Sequence, residues 1–312
     1  MSSSPQFNPE TVSGGIRSHS TRTALVLGGG GSTGNAWLIG VLAGLFDAGL
    51  DVTTADLTIG TSAGSTAAAQ IAGATPTELF KAIQAAAPKH PTGPVGFDQG
   101  RAPTRPVTDH MERITTIIAS SADAADMRRR MGASAIDMDA SDGSWQTQWR
   151  ATVASRLPGV RWPQRAVLIT AVDADSGEPV VFDQLSDVDL VDAVAASCSS
   201  GRPYRIGDHR YIDGGYRSNA ENADLAAGYG RVLVLSPFGG RSLTPVDWGT
   251  HLAAQVDELR ARGSEVETVF PENTVEHLFG PNAMDLSLRP LAARAGYAQG
   301  AAQAARLTEF WV

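Results

Sequence analysis

The sequence predicts an α/β protein built on a parallel sheet, and three observations carry that prediction. Two short apolar runs, residues 24–27 and 57–59, are each followed by a glycine-rich turn and then by a helical pattern. This strand-helix-strand-helix order is the signature of parallel strands joined by crossovers. Strong apolar runs return at 166–172 and 231–235, so the sheet continues late into the chain. The 312 residues are 42 % hydrophobic and 19 % charged, enough to bury a sizeable core and too apolar for wholesale disorder.

Residues 1–20 are polar, lack an apolar stretch and read as a loose tail before one domain over 21–312. After the first strand, Gly28 to Gly34 form a glycine loop. Asn35 then opens a helix with Trp37, Leu38, Val41, Leu42, Leu45 and Phe46 on one face, and Gly49 is its expected C-terminal stop. The strand at 57–59 turns through Gly60 to Gly64 into an alanine-rich helix at 65–72. Thr75-Pro76 starts another helix, running to about Ala87. Residues 88–106 are proline-rich and read as loop, and 107–157 read as weakly patterned helix. Together, 75–165 read as a helical insertion over the sheet. Asp175-Ser176-Gly177 joins 166–172 to a strand at 180–182 as a hairpin turn. Residues 188–196 are helical, and 203–206 and 210–212 flank a second hairpin turn at Gly207-Asp208. Helices at 248–262 and 290–309 complete the pattern.

Three motifs can carry chemistry. Gly60-Thr61-Ser62-Ala63-Gly64 fits G-x-S-x-G. A serine on a sharp strand-to-helix turn needs glycines two before and two after, where a Cβ would clash, and the following helix supplies amide donors for a developing oxyanion. The plainer reading is a packing turn. Gly28 to Gly34 is the second motif, whose amides can converge on an anion. Gly29, Gly31 and Gly34 also satisfy the dinucleotide pattern G-x-G-x-x-G, but the second strand ends in Gly60-Thr61-Ser62 where an acidic ribose ligand belongs. Oxyanion donor, dinucleotide cradle and structural turn all remain open for this loop. Asp213-Gly214-Gly215, at a strand end, can present a general base, though an Asp-Gly pair is commonly only a turn.

Other residue types narrow the field. The net charge of -8 argues against nucleic acid and against anionic membrane surfaces, so a lipid partner must be attracted by apolar contact. A transient membrane contact is compatible with this, and no run reaches the length of a membrane span. The single Cys198 can form no internal disulfide, reads as a structural thiol and fits a cytoplasmic setting. His19, His90, His110, His209, His251 and His277 stand in no local motif. No metal-ligand spacing occurs, and no cofactor is expected. Arg128-Arg129-Arg130 reads as a solvated helix face; Trp145, Trp149 and Trp162 read as core.

In this order the three motifs resemble the patatin-like phospholipase family. The likeness extends over Leu27 to Leu45 (LGGGGSTGNAWLIGVLAGL), residues 56–72, and Ala193 to Leu225. The resemblance implies a three-layer α/β/α fold with a mostly parallel central sheet and a helical insertion or lid at 75–165. It implies a serine acyl-ester hydrolase acting on lipids, phospholipase A or lysophospholipase-like, through a Ser-Asp dyad without histidine. By that likeness Ser62 attacks the acyl carbonyl, Asp213 takes its proton, and the amides of Gly29, Gly30 and Gly31 form the oxyanion hole. Two departures stand out. Thr33 occupies the place where the family often has Arg or Lys, and the stretch before the Asp-Gly-Gly hairpin is compressed to Ser199-Ser200-Gly201-Arg202-Pro203. The competing classes are a dinucleotide-binding oxidoreductase and a catalytically silent lipid-binding protein.

Overall fold

A computed structural model describes residues 21–86, 104–139 and 143–312. The expected tail at 1–20, most of the proline-rich loop, His19 and His90 lie outside the described residues. Among the described residues eight strands form one sheet: β1 (Thr23–Leu27), β2 (Leu57–Gly60), β3 (Ala166–Asp173), β4 (Pro179–Phe182), β5 (Tyr204–Ile206), β6 (His209–Asp213), β7 (Arg231–Leu235) and β8 (Glu265–Val269). The helices are α1 (Gly31–Asp47), α2 (Ala63–Ile71), α3 (Pro76–Ala85), α4 (Thr104–Ser120), α5 (Ala124–Asp137), α6 (Ser144–Ala154), α7 (Leu190–Ser197), α8 (Leu252–Ala261) and α9 (Arg289–Trp311). Strands β3, β2, β1, β7 and β8 pair in parallel. Strands β4 and β6 run antiparallel to β3.

The side chains of the central strands divide by parity, as the two-residue repeat of a strand requires. Leu25, Leu27, Leu233 and Leu235 face the core that holds α1, α2, α7 and α9. Ala24, Val26, Val232 and Val234 face a second core with α8. Helices thus cover both faces, giving the three-layer α/β/α arrangement, and β1 and β2 are nearly all buried. A third cluster joins α5 to Val172 and Ile212 on the far strands.

The register places the two ends that matter. Ile169 of β3 pairs with Gly60 on one side and Phe182 on the other; Ala171 pairs with Val180 and with Asp213. A strand residue has two lateral neighbours, so β4 takes one edge of β3 while β2 and β6 share the other. They run head to head along it, and their C-terminal ends meet.

Two expectations are corrected. Helix α1 starts at Gly31, not Asn35, so the free loop is only residues 28–30. The helix expected at 248–262 begins at Leu252, because Val246–Trp248 close a short 3-10 turn ended by Gly249. Strand β8, unassigned above, is polar at alternate positions (Glu265, Glu267) because it is the sheet edge beside β7. The Thr75 start holds: its hydroxyl accepts from the Glu78 amide while Glu78 returns to the Thr75 amide, a full capping box.

Helix α1, which begins at the glycine loop, is clamped by α9 at near backbone contact. A Cβ on Gly40 would stand 2.1 Å from the Ala293 carbonyl oxygen, and one on Gly44 2.2 Å from that of Tyr297. In return, one on Gly296 would stand 2.3 Å from the Trp37 oxygen, and one on Gly300 2.3 Å from that of Val41. Each helix offers glycines four apart, so neither backbone has a side chain in the seam. Gly44→Val should therefore cost roughly 3 kcal/mol or more of stability, read as a lower midpoint in urea unfolding. A midpoint equal to wild type would mean the seam can open without penalty.

Candidate functional site

Ser62 sits between β2 and α2 with φ 52° and ψ -116°, a conformation few non-glycine residues adopt. Such a backbone stores about 1–3 kcal/mol and persists only where its surroundings over-determine it. Here they do. The Ser62 amide donates to Ser197 Oγ at 2.9 Å. Its carbonyl accepts from the amides of Ser65 and Thr66, from Ser65 Oγ at 2.6 Å and from Cys198 Sγ at 3.1 Å. The flanking glycines are steric necessities: a Cβ on Gly64 would lie 1.8 Å from the Leu27 oxygen, and one on Gly60 2.6 Å from Ser65 Cα.

Ser62 Oγ donates to Asp213 Oδ2 at 2.8 Å, across 151 residues of sequence. The other carboxylate oxygen, Oδ1, accepts from the Gly215 amide at 2.8 Å, and the Asp213 amide is held by the Ser199 carbonyl at 3.0 Å. Gly214 lies flat on β3, where a Cβ would meet the Thr170 oxygen at 2.3 Å. Asp213 is buried, and removal from water pushes its carboxyl up to about 6 against two hydrogen bonds that favour the ion. The same burial, aided by Asp213, pushes the Cys198 thiol up to about 11. That sulfur is protonated at neutral pH and serves as a donor, in keeping with the structural role read from sequence.

The glycine loop meets this pair from the side. Gly29 packs against Ser62, a Cβ there lying 3.5 Å from that of the serine. Its amide, however, donates to the Ala220 carbonyl at 2.8 Å. This corrects the expectation of three oxyanion donors: the Gly29 amide is spent on the fold, while the amides of Gly30 and Gly31 donate to no acceptor among the described residues. A Cβ on Gly30 would lie 2.5 Å from Pro237, and one on Gly31 2.8 Å from the Ala283 oxygen, so neither position has room for a side chain.

Sequence reasoning missed the residues that hold the motifs together. Asn222, fully buried at φ 55°, donates from Nδ2 to Thr61 Oγ1 at 3.0 Å, Thr170 Oγ1 at 3.4 Å and the Gly214 carbonyl at 3.0 Å. One side chain thus ties the residues next to Ser62 and Asp213 to the strand between them. Ser197 is the other omission. No local signal marks either residue, since both act on partners far along the chain. None of the four described histidines bonds Ser62 or Asp213; His251, for one, meets the Thr244 carbonyl. Trp149 and Trp162 donate to the carbonyls of Ala195 and Val188 and pack in the core. Arg129 and Arg130 pair with Asp126, while Arg128 reaches the Gly177 carbonyl.

A hydroxyl raised on a strand-to-helix corner and bonded to a buried carboxylate is equipment for acyl transfer, and the class is that of hydrolases acting on ester bonds. The family model described as Patatin-like phospholipase matches residues 25–224, a span that contains all three motifs. The chain belongs to the patatin-like phospholipase family and so to the lipid-ester hydrolases. Among solved structures it is similar to VipD from Legionella pneumophila, with a TM-score of 0.41 and 11 % identity, over 92 % of this chain and 67 % of that one. It is also similar to the type III effector protein ExoU, with a TM-score of 0.31 and 15 % identity, over 90 % of this chain and 54 % of that one. No curated protein sequence matches it. No helix among the described residues is long and apolar enough to cross a membrane.

The buried Asp213 has a consequence for stability. Its carboxyl stands at about 6 in the fold against an ordinary 3.8, so the folded protein holds this proton more tightly than the unfolded chain. The fold is therefore favoured below pH 4, loses this contribution between pH 4 and 6, and above pH 6 carries a cost of about 3 kcal/mol. Asp213→Asn should thus unfold at a higher temperature than wild type at pH 8, and the gain should shrink towards nothing at pH 4. An equal gain at both values would show that the charge is not its cause.

Proposed function

We propose that this chain hydrolyses acyl esters of lipids, in the manner of a phospholipase A or lysophospholipase, with Ser62 as nucleophile and Asp213 as its base. The observation that carries this reading is the 2.8 Å bond from Ser62 Oγ to Asp213 Oδ2. Attack of Oγ on the acyl carbonyl passes the hydroxyl proton to Oδ2. The oxyanion that forms accepts from the amides of Gly30 and Gly31, at the end of α1 where the peptide dipoles are positive. The tetrahedral adduct collapses, the alcohol leaves with the proton held by Asp213, and an acyl-Ser62 ester remains. Asp213 then takes a proton from water, whose attack releases the fatty acid and restores the hydroxyl. A carboxyl at about 6 suits this double duty, being ionised at pH 7 yet more basic than an ordinary aspartate.

On this reading the insertion, through its described helices α3 to α6, serves as the lid or acyl-pocket wall. Supporting this, Arg113 of α4, Met131 of α5 and Met138 just beyond α5 line a small cavity with Ser200 and Tyr216, on either side of Asp213 in the chain. The lone Cys198, kept as a thiol, supports a cytoplasmic setting. A silent lipid-binding protein would have no reason to hold Ser62 in a strained backbone beside a base.

Ser62→Ala should lower kcat on a short p-nitrophenyl ester by about 10⁴-fold or more while the melting temperature stays near wild type, and should abolish labelling by a fluorophosphonate. Turnover at the wild-type rate would sink the assignment. In wild type, kcat/KM should rise with pH through about 6 and level above it, because the carboxylate is the active form. A profile flat from pH 5 to 8 would remove Asp213 from the role of base. Asn222→Ala should lower kcat roughly a hundredfold with KM little changed, since it loosens the geometry between serine and carboxylate.

A further inference from the structure

Glu221 is fully buried against the glycine loop, and the steps above make no use of it. Its Oε1 accepts from the Ser236 hydroxyl at 2.6 Å, while its Oε2 has no hydrogen-bond partner among the described residues. A Cβ on Gly28 would lie 3.3 Å from Glu221 Cγ, so the side chain runs along the first residue of the loop. Withdrawal from water pushes the carboxyl up to about 7, against the hydrogen bonds that favour the ion. An apolar side chain would fill the same space without that penalty. A buried acid with an idle oxygen therefore calls for an account other than stability.

That account lies in what the bond joins. The glycine loop is anchored at two points: the Gly28 amide donates to the Leu235 carbonyl at 2.9 Å, and the Gly29 amide to the Ala220 carbonyl at 2.8 Å. The acceptors belong to separate segments, the end of β7 and the stretch between β6 and β7. Each is the chain neighbour of one member of the Glu221–Ser236 pair. The bond thus cross-links the two anchors, and fixing their separation fixes the loop between them. Both ends of the link are themselves held. The Ser236 amide donates to the Val269 carbonyl at 3.0 Å, and its hydroxyl accepts from the Gly240 amide at 2.8 Å. The amides of Glu221 and Asn222 both donate to Asn219 Oδ1, at 2.9 Å and 2.7 Å. Asn219 Nδ2 is in turn held by the Thr250 carbonyl at 2.7 Å.

We propose that Glu221 is a positioning residue for the oxyanion loop: through Ser236 it sets where the amides of Gly30 and Gly31 stand relative to Ser62. The proposal rests on the reading of Ser62 and the loop given above. The Glu221 side chain bonds neither Ser62 nor Asp213, so it acts on the oxyanion's donors and not on the transfer of the serine proton. Such donors count only when they lie about 2.7–3.1 Å from the place the oxyanion will occupy, and a small shift of the loop forfeits them. The neutral carbonyl of a bound ester makes much less use of them, so binding before reaction is spared.

The test compares wild type with Glu221→Met, Glu221→Gln and Ser236→Ala on a short p-nitrophenyl ester, with an aliphatic trifluoromethyl ketone as inhibitor. Ser62 Oγ adds to the ketone carbon while its proton passes to Asp213, so the adduct carries the oxyanion that the loop must meet. In Glu221→Met, kcat should fall roughly tenfold or more with KM within about twofold, and the ketone's inhibition constant should rise by a similar factor. The pH at which activity rises, set by Asp213, should stay at its wild-type value. Glu221→Gln keeps an oxygen for the Ser236 hydroxyl and should recover most of the loss. Ser236→Ala removes the other partner and serves if Glu221→Met fails to fold; the same losses are expected, and combining the two changes should add little. Folded Glu221→Met or Ser236→Ala with kcat and ketone affinity both at wild-type values overturns the proposal. So does a fall in kcat with ketone affinity unchanged, or Glu221→Gln as impaired as Glu221→Met. A wild type that neither turns over the ester nor is inhibited by the ketone brings down the dyad reading, and the positioning role with it.

Discussion

The site depends on one constraint of sheet geometry: β2 and β6 share a single edge of β3 and run towards each other along it. Gly60 pairs with Ile169 and Asp213 with Ala171, so only a short stretch of that edge separates the two strand ends. Whatever follows β2 and whatever ends β6 must meet there. Ser62 follows β2 by two residues, and the 2.8 Å bond between hydroxyl and carboxylate is the result. Antiparallel entry of β6 along the edge of β3 that β2 follows in parallel is what makes this possible. A parallel β6 would have directed its C-terminal end away from Ser62.

Holding that meeting point is costly, and the cost is spread over the surrounding packing. Ser62 sits in a strained backbone, and Asp213 is a carboxylate withdrawn from water. Asn222 bridges the two turns, Ser197 holds the serine amide, and Cys198 caps the serine carbonyl. Further out, the glycine seam between α1 and α9 fixes the helix whose first turn presents the free amides of the loop. The same seam brings Arg289 to Ser32 and Asn35. The C-terminal helix therefore serves both the position of the glycine loop and the charge beside it.

Much of this was legible in the residues because the demands are local. Gly60 and Gly64 flank a serine whose turn tolerates no Cβ at either position, and the alternation of apolar residues in β1 and β7 follows directly from a two-residue repeat. The Thr75 helix start is visible for the same reason, as a capping box spans only four residues. Sequence puts the start of α1 at Asn35, later than its true start at Gly31, because glycines at 31 and 34 weaken helical propensity. They lie in a first turn whose Thr33 amide donates to the distant Ala283 carbonyl. Sequence leaves the Gly29 amide a free donor, whereas the fold gives it to the Ala220 carbonyl, nearly two hundred residues away.

By itself, the chain of residues determined the alternation of strands and helices, the sharp turns, the serine and aspartate at their corners, and the family likeness those motifs carry. Each follows from sterics and periodicity within a few neighbouring residues. Tertiary structure alone decided which amides of the glycine loop stay free, that Asn222 and Ser197 serve the turns, and that Arg289 reaches the first turn of α1. Those contacts span 161, 135 and 257 residues respectively. Such distances are closed by strand order and helix packing, and no short stretch of sequence encodes either one on its own.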